Sequence, residues 1–262
     1  MKDGRNSGAR QGCIGCREGA GWDGAIRMAF HPIVDLWTGE PFAYEALVRG
    51  PNGEGAGSVL AQVTDANRYG FDQACRMAAI EEAVAVGLLD TDALLSINFL
   101  PNAVYSPVAC IQLTLRTAAA VGLPTDRLLF EFTENERMED TAHVRKIVDT
   151  YRRFGFHTAI DDFGAGHAGL GLLADLPTDV VKLDMALVRG VEDSEPRRAI
   201  VAAVAGLCKE LRIGLIAEGV ETTAELRALE ALGVRFVQGF VFGRPEVGRL
   251  PPPRIIERSA AA

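Results

Sequence analysis

Acidic and amide side chains recur inside or directly after short apolar runs along this chain. Carboxylate and amide oxygens are the ligands that Mg²⁺ and Mn²⁺ prefer in proteins. Several carboxylates in one cleft repel each other strongly, and hard divalent cations relieve that repulsion. These residue types therefore predict a metal site with oxygen ligands. The candidates are Glu45, Asn98, Glu131, Glu134, Asp161, Asp162, Asp184, Glu218 and Gln238, together with Lys182.

Each candidate also has a purely structural explanation when it is taken alone. Glu45 could lie on the outer face of a strand, and Asn98 could belong to a turn. Asp161 and Asp162 could cap the next helix, and Lys182 could be a surface lysine. For the metal site to be absent, every one of these separate explanations would have to hold at the same time. Their number therefore favours the metal site. The chain has only 4 histidines and no His cluster in its sequence, which disfavours zinc.

The apolar runs alternate with amphipathic segments along most of the chain. The first two of eight such runs are joined by the turn-like residues 35–41, which allows a hairpin. The other runs alternate with helical patterns, which predicts a parallel sheet, and eight runs predict a (β/α)₈ barrel. In that fold the carboxyl ends of the strands share one face, where the polar groups would meet. The runs occupy residues 26–34, 42–48, 94–99, 128–132, 158–160, 180–183, 214–217 and 236–237. The helical patterns occupy residues 72–86, 108–121, 142–154, 196–211 and 222–232.

Composition limits the class of partner. The 262 residues include 27 Lys+Arg and 35 Asp+Glu, a formal net charge of −8. Binding to polymeric nucleic acid relies on Lys and Arg that neutralise phosphates, so it is disfavoured. The sequence contains no apolar run long enough to span a bilayer. Five cysteines, three of them in apolar segments (Cys75, Cys110, Cys208), are typical of a reduced cytoplasmic protein.

The two ends of the chain lack the repeating pattern. Residues 1–25 are rich in glycine and predict a flexible arm. Its Cys13 and Cys16 form a CxxC pair: two solvated thiols, a redox pair, or half of a metal site completed by another chain. We expect the barrel to fill residues 26–250 and an irregular tail to occupy residues 251–262, which begin with three prolines.

The candidate residues fall in seven segments that resemble the EAL domain family of cyclic di-GMP phosphodiesterases. The segments follow the family order over nearly the whole chain, and residues 164–170 also resemble the loop of EAL domains fused to BLUF light sensors. The resemblance implies a modified TIM-type (β/α)₈ barrel with an antiparallel first strand. The segments are YEALVR at 44–49, NFLP at 98–101, EFTE at 131–134, DDFGAGHAGL at 161–170, VKLD at 181–184, IAEGVET at 216–222 and QGFVFGRP at 238–245.

The resemblance further implies hydrolysis of cyclic di-GMP to linear pGpG with two divalent cations, Mg²⁺ or Mn²⁺. Asp161 would contact both cations, and Lys182, Glu218 and Glu45 would be the catalytic residues. The implied ligands are Glu45, Asn98, Glu131 and Asp161 for one cation, and Asp161, Asp162 and Glu218 for the other.

The resemblance also implies substrate contacts and assembly. Arg49 would bind a phosphate, and His31, Leu47 and Gln238 would contact the substrate, with Gln238 near the second cation. His31 stands where the family usually has Gln. Glu134 would position the loop that begins at residues 161–162, and the segment after that loop would contribute to a homodimer.

One alternative stays open. A catalytically silent EAL module would bind cyclic di-GMP or another protein and act as a receptor. Such modules usually lack some of the metal ligands, whereas this sequence has all of them. The enzyme is therefore the favoured interpretation.

Overall fold

The computed structural model describes residues 21–133, 141–166 and 169–256. Cys13, Cys16 and Glu134 lie outside these residues, so their roles stay predictions. Within the described part of the chain, no helix is long and apolar enough to cross a membrane.

Eight strands close into a barrel in sequence order, with β8 hydrogen-bonded to β1. β1 is antiparallel to both of its barrel neighbours, and the other neighbouring pairs are parallel. The predicted barrel with an antiparallel first strand is therefore confirmed. The strands are β1 (Arg27–Asp35), β2 (Pro41–Arg49), β3 (Leu94–Asn98), β4 (Leu128–Thr133), β5 (His157–Phe163), β6 (Val180–Leu183), β7 (Gly214–Ala217) and β8 (Phe236–Gln238).

Helices surround this barrel. Four of the five predicted helical segments each form one helix, and the segment 108–121 is divided into two. In addition the structure has short helices and a two-residue strand, β9 (Glu246–Val247), which pairs with β1 outside the barrel. The helices are α1 (Ala56–Leu60), α2 (Arg68–Ala85), α3 (Pro107–Cys110), α4 (Gln112–Val121), α5 (Thr141–Arg153), α6 (Gly169–Asp175), α7 (Met185–Val188), α8 (Glu195–Leu211) and α9 (Thr223–Ala231).

Two apolar regions hold the barrel together. The larger one fills the space between the outer faces of the strands and the helices. The smaller one fills the inside of the barrel and takes one buried residue from each of six strands. Since alternate residues of a strand face the same side, this inner layer fixes which neighbours also point inward. The inner layer consists of Ile33, Ala43, Leu129, Ala159, Val180 and Ile216.

A salt bridge ties the β1–β2 hairpin to β8 at the face where the parallel strands begin. Arg235 donates from Nε and Nη2 to the two carboxylate oxygens of Asp35, at 2.9 and 2.6 Å. Burial alone would raise the pKa of Asp35, but the hydrogen bonds from Arg235 and from the Trp37 amide lower it. This pair lies on the face opposite the strand ends that carry the predicted metal site.

Candidate metal centre

A polar layer lies directly above the inner apolar layer of the barrel. On the parallel strands it is formed by the residue two positions after each inner apolar residue, and on β1 by the residue two positions before Ile33. This spacing follows from the alternation of side chains along a strand. The layer contains His31, Glu45, Glu131, Asp161, Lys182 and Glu218.

The carboxylates of this layer, together with Asp162, form two groups that share Asp161. The first carboxylate group consists of Glu45, Glu131 and Asp161, and the second carboxylate group consists of Asp161, Asp162 and Glu218. In each group one oxygen from every residue lies within 4.8 Å of the others. Such an oxygen donor set fits hard divalent cations, and a shared aspartate suits two cations side by side.

Lys182 lies among these carboxylates and is 1% exposed. Its Nζ is 2.7 Å from Glu218, 2.8 Å from Glu131, 3.1 Å from Asp161 and 3.7 Å from Glu45. Burial alone would lower the pKa of Lys182, but the four carboxylates raise it well above its ordinary value. The lysine is therefore a permanent positive charge at the centre of the cluster.

Three acids of the cluster have raised pKa values, because they are buried close to other carboxylates. Burial raises the pKa of Glu131 to about 8, with Glu45 and Asp161 adding to the rise and Lys182 opposing it. Burial likewise raises the pKa of Glu218 well above its ordinary value, and that of Asp162 rises through burial and the nearby Asp161. Divalent cations among these groups favour the ionised forms, which is why the cluster suits metal binding.

Two amides hold the carboxylate of Glu45. Asn98 at the end of β3 donates from Nδ2 to Oε1 at 2.9 Å, and Gln238 at the end of β8 donates from Nε2 to Oε2 at 2.8 Å. Burial alone would raise the pKa of Glu45, but Lys182 and these two hydrogen bonds lower it. In this structure Gln238 therefore contacts Glu45, and its place near the second cation stays a prediction.

Ser96 is a member of the site that the sequence analysis missed. It lies opposite Glu45 in the β2–β3 register and is fully buried. Its hydroxyl donates a hydrogen bond to Oε1 of Glu131, while Lys182 donates to the other oxygen. The signal was present in the sequence, because Ser96 is the polar residue two positions before Asn98 on a strand whose alternate residues are apolar.

Asp161 and Asp162 differ from the prediction in their local structure. They were expected to follow a strand that ends at residue 160, but β5 continues to Phe163 with a register irregularity between Ile160 and Phe163. Asp162 has φ of 54°, a left-handed conformation that turns its side chain out of the regular alternation. Asp184, another candidate, caps α7 by accepting from the Ala186 amide at 2.8 Å.

The predicted substrate residues lie around this cluster. His31 pairs with Glu45 across β1 and β2, and its Nε2 is 3.2 Å from the Gly243 carbonyl oxygen. Burial lowers the pKa of His31. Arg49 ends β2 and donates to the carbonyl oxygen of Val48 at 2.8 Å. Leu47 lines an apolar cavity of about 460 Å³ that also reaches Asn98.

Gly239 follows Gln238 at a point where two backbones nearly touch. A Cβ there would lie 2.0 Å from the carbonyl oxygen of Val220 and 2.4 Å from its nitrogen. We expect Gly239→Ala to lower the free energy of unfolding by about 1–3 kcal/mol and to weaken metal binding, because Gln238, which holds Glu45, must move with it. Thermal melts and Mn²⁺ affinity check this prediction. Gly206→Ala, at an exposed position of α8 with open space around it, is the control and should not destabilise.

Comparison with known proteins identifies the family. The sequence model of the EAL domain matches residues 22–245. The chain belongs to the EAL domain family. Among curated EAL relatives, the blue light- and temperature-regulated antirepressor BluF of Escherichia coli (strain K12) is 32% identical over 224 residues. That match covers 86% of this chain but only 55% of BluF, so this EAL chain spans about half the length of that relative.

Solved EAL structures share the fold and carry ligands. A standalone EAL protein of Vibrio cholerae O395, solved with cyclic di-GMP bound, is 48% identical with a TM-score of 0.85, covering 89% of this chain and 97% of that one. BlrP1 of Klebsiella pneumoniae, solved with manganese and cyclic di-GMP, is 34% identical with a TM-score of 0.81, covering 88% of this chain and 59% of that one. BlrP1 has also been solved with calcium and cyclic di-GMP.

Proposed function

We propose that this EAL domain hydrolyses cyclic di-GMP to linear pGpG with the help of two divalent cations, Mg²⁺ or Mn²⁺. The observation that carries the proposal is the pair of carboxylate groups that share Asp161 around Lys182. Glu45, Asn98, Glu131 and Asp161 would hold one cation, and Asp161, Asp162 and Glu218 the other. The ligands of the solved relatives support the same substrate class.

Bound cations at such a site offset the charge of a phosphate and lower the pKa of a water molecule. The side chains of this chain would supply proton transfer and further stabilisation of negative charge. Glu218, at the edge of the cluster 2.7 Å from Lys182 Nζ, would accept the proton of the attacking water. Lys182 holds a fixed positive charge beside it, which stabilises the negative charge that develops on the phosphate.

Substrate contacts come from residues at the edge of the cluster. Arg49 would bind a phosphate of the substrate, and His31, Leu47 and Gln238 would contact the remainder. We place the reaction in the bacterial cytoplasm as part of this proposal, on the sequence evidence that three of the five cysteines fall in apolar segments.

The test is direct incubation of the purified protein with cyclic di-GMP and either Mg²⁺ or Mn²⁺. Chromatography should show loss of cyclic di-GMP and appearance of pGpG, and EDTA should stop the reaction. Intact cyclic di-GMP after prolonged incubation with both cations would contradict the proposal.

A second function is favoured by the name of one relative. BluF is named an antirepressor, not an enzyme. A catalytically silent EAL module would bind cyclic di-GMP or another protein without hydrolysing the dinucleotide. Calorimetry with cyclic di-GMP, run beside the hydrolysis assay, distinguishes the two functions: binding without product favours the receptor, and product formation favours the enzyme.

We expect Ca²⁺ to inhibit hydrolysis. Ca²⁺ prefers longer bonds and more ligands than Mg²⁺, so it would hold the substrate without bringing the reacting groups together. Titration of Ca²⁺ against a fixed Mg²⁺ concentration should lower the rate, and excess Mg²⁺ should restore it. Full activity with Ca²⁺ as the sole cation would be incompatible with the proposed arrangement.

We also propose a homodimer formed near α6, next to the loop that follows Asp162. Leu170 is exposed on this helix, where an apolar side chain suits a contact between subunits. Light scattering should give the mass of a dimer, and Leu170→Glu should yield a monomer. Ile200→Glu, an equally drastic change at an exposed residue of α8, should leave the dimer intact.

A further inference from the structure

We propose that Asp72 and Arg76, both on α2, are positioning residues for the first carboxylate group. They act by fixing the turn that presents Asn98, and neither is proposed to bind a cation. The inference rests on the proposed function, because it concerns residues that would hold a metal.

The two residues form a fully buried ion pair. Arg76 is 0% and Asp72 3% exposed, and Arg76 Nη2 lies 2.9 Å from Asp72 Oδ2. Removing two charges from water costs about as much as their attraction returns, and apolar replacements of such pairs are often neutral. A gain in stability therefore does not explain why the chain keeps this ion pair. We infer that the pair serves to place the residues next to Asn98 and Glu131.

Asp72 holds the backbone just beyond Asn98. Its Oδ1 accepts a hydrogen bond from the Leu100 amide at 3.1 Å. The preceding amide, that of Phe99, donates to the Glu131 carbonyl oxygen at 2.9 Å. Two consecutive amides after Asn98 are thus fixed from opposite sides. The Asn98 side chain, which donates to Glu45, has little freedom to move away from the cluster.

Arg76 acts on the rings next to the same ligands. Its guanidinium carbon lies 5.3 Å from the ring centres of both Phe99 and Phe130, and Nη1 donates to the Tyr151 hydroxyl at 2.8 Å. Phe99 follows Asn98 and Phe130 precedes Glu131 along the chain. Because neighbours on a strand point to opposite faces, holding these rings outside the barrel fixes the inward direction of the adjacent ligands.

Two double variants test the proposal. Removing one charge alone would leave the other buried without a partner, so both are replaced. Asp72→Leu with Arg76→Met removes the acceptor for the Leu100 amide, whereas Asp72→Asn with Arg76→Met keeps one. Mn²⁺ binding without substrate is measured by the electron paramagnetic resonance of the free ion. We expect the Leu variant to bind Mn²⁺ about 10–100-fold more weakly and the Asn variant to remain much closer to wild type.

The matched control is Asp35→Asn, which neutralises the salt-bridged aspartate on the opposite face of the barrel. It should lower the melting temperature and leave Mn²⁺ affinity unchanged. Wild-type affinity in the Leu variant, or equal losses in both double variants, would overturn the proposal. If the Leu variant does not fold, hydrogen exchange of the wild-type Leu100 amide decides: exchange as fast as in an exposed loop also overturns it. Since these measurements use no substrate, failure of the hydrolysis assay would be a separate result.

Discussion

Glu45→Ala should lower the rate of cyclic di-GMP hydrolysis by at least about 10³-fold, roughly 4 kcal/mol in the activation barrier. Glu45 belongs to the first carboxylate group and is held by two amides, Asn98 and Gln238. Its loss removes one proposed ligand and leaves both amides without their acceptor. The measurement is initial rate at saturating Mn²⁺, together with Mn²⁺ affinity, which should fall as well.

The fold should survive this change, because the polar layer rests on an intact apolar layer below it. Circular dichroism of Glu45→Ala should match the wild type. Glu40→Gln removes an exposed carboxylate from the hairpin turn on the opposite face and serves as the control for charge. Near wild-type hydrolysis by Glu45→Ala in a metal-controlled assay would show that the site is assigned incorrectly.

Lys182→Met should reduce hydrolysis by about 10²–10³-fold while strengthening Mn²⁺ binding. The ammonium group lies within 3.7 Å of four carboxylates, so it offsets negative charge that would otherwise attract cations. Like charges about 4 Å apart repel by about 4 kcal/mol at an effective dielectric constant of 20. Removing the lysine should therefore tighten Mn²⁺ binding by about tenfold or more, yet remove the charge that stabilises the reacting phosphate.

The same variant should be less stable without metal, because its carboxylates repel each other with no cation among them. Mn²⁺ should then raise its melting temperature more than that of the wild type. Lys209→Met, on the exposed face of α8, controls for the loss of a lysine. If Lys182→Met binds Mn²⁺ more weakly than wild type, the lysine supports the cation site in another way and this electrostatic account is wrong.

The sequence predicted the barrel because its apolar runs and helical segments alternate with little interruption. The reversed β1 was expected from the turn-like residues 35–41, which join the first two apolar runs as in a hairpin, and from the family resemblance. Strand ends were less predictable: β5 runs three residues past the expected end, because its irregular final part contains polar Asp161 and Asp162. β9 is too short and too exposed to leave an apolar pattern.

Within the site, residue type alone did not separate ligand candidates from structural residues. Asp184 follows a strand as Glu218 does, yet it caps a short helix, and nothing in its neighbours distinguishes the two. Ser96 was missed because a serine hydroxyl inside an apolar strand can form hydrogen bonds with many different backbone or side-chain groups, so its type does not indicate a site. Asp72 and Arg76, four apart on a helix, resemble a surface pair, and only the tertiary packing reveals that they are buried.

Because β1 runs against its neighbours, the chain enters the barrel through the face that carries the acidic cluster. Arg27 at the start of β1 lies opposite Arg49 at the end of β2, whereas a barrel with all strands parallel would begin at the far face. Trp22, just upstream, packs edge-on against Phe71 at the start of α2, with ring centres 4.9 Å apart. Any segment upstream of β1 therefore joins the barrel at the face of the acidic cluster, through the same strand that contributes His31 to the polar layer.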